Sequence, residues 1–268
     1  MSTIVSIHSF RGGTCKSNLT ANLASSLVQQ GKRVAMVDTD IQSPGIHVLF
    51  GLDQQTMGRT LNDYLYGRCS IEQVAHDVTG ILNQQTAGIG ALYLLPSSIN
   101  ARDIAKVLRE GYEVNLLQDG LYELSEALKL DYLLIDTHPG LNEETLLSIG
   151  LSDVLVVLLR PDQQDFQGTA VTLEVARKLG VRHLLLVINK VLSSLDAESL
   201  RQQVQKTYNA TVASVLPLSE EMVRMGSDGL FTQVHPDHLY SKGVWDVADR
   251  LLHLNEDGDA GEKPGVKK

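Results

Sequence analysis

Seven short aliphatic runs recur along this chain, separated by longer stretches with helical spacing. They are Ile4–His8, Arg33–Val37, Leu92–Leu95, Tyr132–Ile135, Val154–Leu159, His183–Ile188 and Thr211–Val215. Each is apolar at most positions instead of alternating, which is how a strand reads when both of its faces are covered. Helical candidates lie between them: Lys16–Gln30, Asn100–Arg109, Val114–Lys129, Glu143–Ile149, Gln163–Leu179, Asp196–Tyr208, Glu220–Met225 and Tyr240–Leu254. In the first, Leu19, Leu23 and Leu27 share one face and Gly31 supplies a stop signal. Strand–helix alternation of this kind specifies an α/β fold, a mainly parallel twisted sheet with helices on both faces.

The same runs exclude other classes. The longest, Val154–Leu159, falls far short of the roughly 20 residues that a bilayer-spanning helix needs. The opening residues lack the basic flank and long apolar stretch of a secretory signal. Two cysteines, Cys15 and Cys69, cannot build a disulfide framework or a four-thiolate metal site. A net charge of −9 argues against a general nucleic-acid coat while leaving a local basic patch open. The expectation is one cytoplasmic domain over residues 1–254. Residues 255–268, rich in charge and glycine, read as a solvated, disordered polar tail.

The most informative segment joins the first strand to the first helix: Ser9-Phe10-Arg11-Gly12-Gly13-Thr14-Cys15-Lys16-Ser17-Asn18. A glycine-rich turn into a helix N-terminus aims several N–H groups and the positive end of the helix dipole at one spot. Lys16 adds a full charge for β- and γ-phosphates, and the Ser17 hydroxyl suits Mg²⁺. Carboxylates follow at strand ends. Asp38 and Asp40 lie in Val37-Asp38-Thr39-Asp40, and Asp136 closes Tyr132-Leu133-Leu134-Ile135-Asp136-Thr137-His138-Pro139-Gly140. The carboxyl edge of a parallel sheet is where ligands of such folds bind. Asp136 there can hold Mg²⁺ through water or cap a helix beginning near Asn142, and His138 reads as an ordinary loop histidine.

The stretch Arg11–Ser17 resembles the deviant Walker A motif of the MinD/ParA family of ATPases, K-G-G-x-G-K-[ST], with Arg11 in place of the leading Lys and Cys15 in place of the third Gly. The Asp38/Asp40 pair and Asp136–Gly140 are similar to further motifs of that family, and the likeness runs over residues 3–252. It implies a P-loop NTPase that binds ATP and Mg²⁺ and forms a nucleotide-sandwich homodimer. Slow hydrolysis then switches a cargo or partner, with a protein activator or cargo adaptor. By resemblance, Gly12, Gly13, Thr14, Cys15, Lys16, Ser17 and Asn18 hold the phosphates, and Lys16, Asp40 and Arg11 are catalytic. Arg11 would reach the partner's phosphates and Asp40 would position the attacking water. Ser17, Asp38 and Asp136 serve the metal, and Asn189 and the backbone near Pro217 lie at the adenine. A side chain at position 15 costs about 1–2 kcal/mol if φ is positive there.

The polar segment from Arg160 through Asp162 to Gly168 either contacts nucleotide or partner, or is a loop capped by Asp162. Arg177, Lys178, Arg182, Lys190, Arg201 and Lys206 form the most basic stretch, a candidate face for nonspecific DNA or solvated helix surface. The tail has no apolar face for a membrane anchor. Two alternatives to the ATPase switch remain: an ATP-binding regulator or scaffold with little hydrolysis, and a metal or cluster carrier. The carrier needs paired cysteines that Cys15 and Cys69 do not supply.

Overall fold

The computed structural model describes residues 2–82 and 90–254; the tail expected at 255–268 lies outside them. The strands are β1 (Thr3–His8), β2 (Arg33–Asp38), β3 (His76–Asp77), β4 (Ala91–Leu95), β5 (Tyr132–Asp136), β6 (Val154–Leu159), β7 (His183–Val191) and β8 (Thr211–Pro217). They form one sheet in the order β3-β4-β2-β5-β1-β6-β7-β8. Every pairing is parallel except the antiparallel edge pair β3–β4.

The helices are α1 (Lys16–Gln29), α2 (Leu61–Leu65), α3 (Ala101–Glu110), α4 (Val114–Ala127), α5 (Glu143–Leu151), α6 (Gln163–Lys178), α7 (Ala197–Tyr208), α8 (Glu220–Met225), α9 (Phe231–Val234) and α10 (Leu239–Leu252). None among the described residues is long and apolar enough to cross a membrane.

The reason for the all-apolar strands is visible in how alternate residues divide. Val5, Ile7, Val34, Met36, Leu134, Val156 and Val187 face a core shared with α1 and α10. Their neighbours Ile4, Ala35, Val37, Leu133 and Ile135 face a second core with α2 and α4. Leu155, Val157, Leu186 and Ile188 face a third with α6 and α7. Covering both faces of a strand leaves no position for a polar alternation.

This topology positions the site. β1 lies between β5 and β6, so successive connections diverge on its two sides and leave a crevice at its carboxyl end. The loop from β1 to α1 enters that crevice. β2 and β5 pair in a register that sets Asp38 beside Asp136, and Ile7 of β1 also pairs with Asp136. Three strand ends therefore deliver their side chains to one place.

Candidate functional site

The β1–α1 loop is a fold-back held by its own side chains. The Ser9 hydroxyl donates to the Arg11 carbonyl at 2.7 Å and the buried Thr14 hydroxyl donates to Ser9 Oγ at 2.8 Å. Gly13 and Cys15 both have left-handed backbones, with φ 75° and 65°. The non-glycine at position 15 thus adopts the conformation that favours glycine. α1 then begins with no side-chain cap and no acid in its first turn. Its first N–H groups have no intrahelical partner, and the space above Gly13 is open. Uncapped amides beside a nearly buried Lys16 are an arrangement suited to an anion.

Across the crevice stand the acids. Asp38 is fully buried; its Oδ1 accepts from the Asp40 N–H and its Oδ2 from the Gly45 N–H, both at 3.1 Å. Burial, with Asp136 and Asp40 nearby, pushes its carboxyl well above the ordinary carboxylate range. Burial also lifts Asp136 to about 6, opposed by the Lys16 ammonium and by hydrogen bonds from Ser17 and Thr20. Asp40, less buried, is raised by desolvation and pulled back by His138 and Lys16. The raised carboxyls reflect the cost of ionising Asp38 and Asp136 side by side with one ammonium, a cost that a cation would offset.

A hard divalent ion suits this donor set. The Ser17 hydroxyl, Asp136 and Asp38 are oxygen donors, and Mg²⁺ usually takes one or two carboxylates with phosphates and water instead of an all-protein cage. No group of three or more His, Cys, Asp or Glu disposed to hold a metal occurs among the described residues.

Other expected residues fall as follows. Arg11 is half exposed, with Nη1 3.6 Å from both Asp162 Oδ1 and Asp165 Oδ1. Arg160 also pairs with Asp165, at 2.9 Å, and Asp162 caps α6 through the Gln164 and Asp165 N–H groups. The polar segment is thus a capped loop that also holds Arg11. Asn18 accepts from Asn22 through its carbonyl. Asn189 is buried; its Nδ2 donates to the Thr14 carbonyl at 2.9 Å and its Oδ1 accepts from the Lys190 N–H. Pro217 ends β8 opposite Val191. In the basic stretch, Arg177 donates to the Tyr208 and Asn209 carbonyls and Arg201 to the Val212 carbonyl. Lys178 pairs with Glu174 and Arg182 with Asp153. These contacts tie much of the stretch to the chain itself.

Four neighbours of the site are not among the residues expected there from the sequence. Lys190 Nζ donates to the Gly13 carbonyl at 2.8 Å. The Thr20 hydroxyl lies 3.5 Å from Asp136, one turn beyond Lys16, a spacing readable in the sequence. His138, an ordinary loop residue by sequence, has Nε2 3.8 Å from Asp40 Oδ1. His8 is buried at the end of β1, where burial and Lys16 press its imidazole down to about 3 and keep it neutral. The Thr137 hydroxyl donates to the Ile7 carbonyl, so His8 must donate from Nδ1 to Thr137, leaving a lone pair on a partnerless Nε2.

The model of a family described as an AAA domain matches residues 2–192. An uncharacterized ATP-binding protein of Methanocaldococcus jannaschii is 24% identical over 253 residues, covering 94% of this chain and 88% of that protein. The septum site-determining protein MinD of Bacillus subtilis is 25% identical over 259 residues, covering 94% and 90%. The Pyrococcus horikoshii MinD structure, complexed with Mg-ADP, superposes with a TM-score of 0.78 at 21% identity, over 97% of this chain and all of that one.

Proposed function

We propose the following function for this chain, which belongs to the AAA-domain family as a P-loop ATPase of the MinD/ParA type: it binds Mg-ATP, dimerises around it and hydrolyses it slowly, as a switch that positions a cargo or partner. The observation that carries this reading is the convergence of Lys16, Ser17, Asp38, Asp40 and Asp136 on one crevice around uncapped loop and helix amides. The ATP-binding description of one relative supports the choice of ligand.

In this reading the amides of Gly12 to Asn18 and the Lys16 ammonium hold the phosphates. Ser17 and Asp136 would hold Mg²⁺, which supplies charge neutralisation at the β- and γ-phosphates, with Asp38 behind them. Asp40 orients a water against the γ-phosphorus and accepts its proton, while the bond to ADP breaks. Burial raises the Asp40 pKa and so makes its carboxylate a better base. Arg11 exchanges Asp162 and Asp165 for the phosphates of a second copy. Asn189 and the Pro217 backbone stand near the place for the base. A cytoplasmic setting and a protein activator belong to this proposal.

A second reading, an ATP-binding regulator with little hydrolysis, is favoured by two particulars: the side chain at the left-handed position 15 and the ion pairs that hold Arg11 within its own chain. Sedimentation and phosphate release with Asp40→Ala test the first reading. The variant should bind ATP, release phosphate at least about a hundredfold more slowly, and accumulate as an ATP-bound dimer. Wild-type protein that stays monomeric with ATP and releases no phosphate would favour the second.

A further inference from the structure

We propose that Asn189 and Lys190 are positioning residues of the phosphate loop, acting from behind to turn its amides toward the ligand. This rests on the reading of that loop as a phosphate site.

The geometry is specific. Consecutive side chains at the end of β7 donate to consecutive carbonyls of the loop: Lys190 Nζ to Gly13 and Asn189 Nδ2 to Thr14. In a trans, planar peptide the carbonyl and the following N–H point in opposite directions. Holding the Gly13 carbonyl therefore turns the Thr14 N–H the other way, and holding the Thr14 carbonyl does the same for the Cys15 N–H. These amides belong to the segment that faces the anion. Lys190 reaches the loop because its backbone is left-handed, with φ 59°, where the β7–β8 register shifts between Ile188 and Val191. A lysine held in that region is strained and needs something to keep it there. Its ammonium on Gly13 and its N–H on Asn189 Oδ1 do so. The brace also answers the side chain at position 15, because Cys15 gains no glycine-like ease in its left-handed conformation and the carbonyl before it is fixed from outside.

Asn189 consequently contributes to affinity for phosphate independently of any base. Magnesium tripolyphosphate, which has no base, is the probe. Calorimetry should show Lys190→Met and Asn189→Ala weakening both ATP and tripolyphosphate by about three- to tenfold, with Lys190→Arg recovering most of the loss. Lys190 is partly exposed, so its variants test the brace even if the buried Asn189 variant folds poorly. Weaker ATP binding with unchanged tripolyphosphate binding overturns the brace and leaves Asn189 acting on the base. If wild-type protein binds neither ligand, the phosphate-site reading fails, and ¹⁵N relaxation of the ligand-free protein decides the brace by itself. The Thr14 and Cys15 amides should move from order parameters of about 0.85 toward 0.6 in Lys190→Met; unchanged values overturn it.

Discussion

At Asp136, stability opposes the metal-binding role proposed above. Its carboxyl titrates near 6 in the folded chain against 3.8 for an ordinary aspartate, because burial disfavours the charge. The folded chain then binds the proton more tightly than the unfolded one. The stabilisation is fully present below the unfolded value and is lost as pH rises through about 6. Each tenfold difference in proton affinity between the two states is worth about 1.4 kcal/mol. Buried His8 acts in the opposite sense over the same window and buried Asp38 in the same sense, so the contribution of Asp136 is read as a difference. From pH 4 toward 7 the melting temperature of ligand-free wild type should fall relative to that of Asp136→Asn, and the variant should bind nucleotide more weakly with Mg²⁺. A variant that melts below wild type near neutral pH would contradict this. Asp38, Asp40 and Asp136 are legible because each follows or ends an apolar run, so sequence alone places them at the sheet's carboxyl edge. The Lys190 contact is not, since it depends on a left-handed residue and a register shift produced by β7–β8 pairing. His138 stays inconspicuous in the sequence because only the fold brings it to Asp40.

Between elements, the β1–α1 loop leans on α6. Phe10 occupies a position where the strict P-loop pattern has glycine, and its ring lies against Gly168, where an added Cβ would overlap it. Helix and loop are thus matched by one missing side chain. Gly168→Ala should displace Phe10 and destabilise the fold by about 1–3 kcal/mol, measured by urea unfolding, with weaker ATP binding through the shifted loop. An unchanged unfolding midpoint would show that Phe10 swings away freely. The buried strands and long helices are readable because their residues repeat one pattern over enough positions. β3, with two residues, and α2 and α9, with five and four, are too short for a period to show. α2 does carry a local signal: Thr60 and Asp63 form a capping box, with the Thr60 N–H donating to Asp63 Oδ2 at 3.1 Å. Gly31, the expected stop for α1, is left-handed at φ 79° just past its end.

The molecule taken together is a scaffold whose topology gathers distant sequence at one edge. Residues near 11, 38, 136, 160 and 190 meet because β1 is central and its neighbours are parallel. The surface carries less information than the edge. Arg177 and Arg201 hold helices and strands together through backbone carbonyls, so two residues of the stretch that suggests DNA also have structural contacts. Charge pairing holds Arg11 to Asp162 and Asp165 within the chain, a contact that the proposed dimer would have to replace. All of this depends on whether the loop holds a triphosphate. Titration calorimetry of Mg-ATP into wild-type and Lys16→Ala protein measures that directly. Wild-type protein should bind saturably and the variant should lose at least about a hundredfold in affinity, since a buried ammonium facing the phosphates is removed. Equal affinity in the two proteins would mean that the loop is not a triphosphate site.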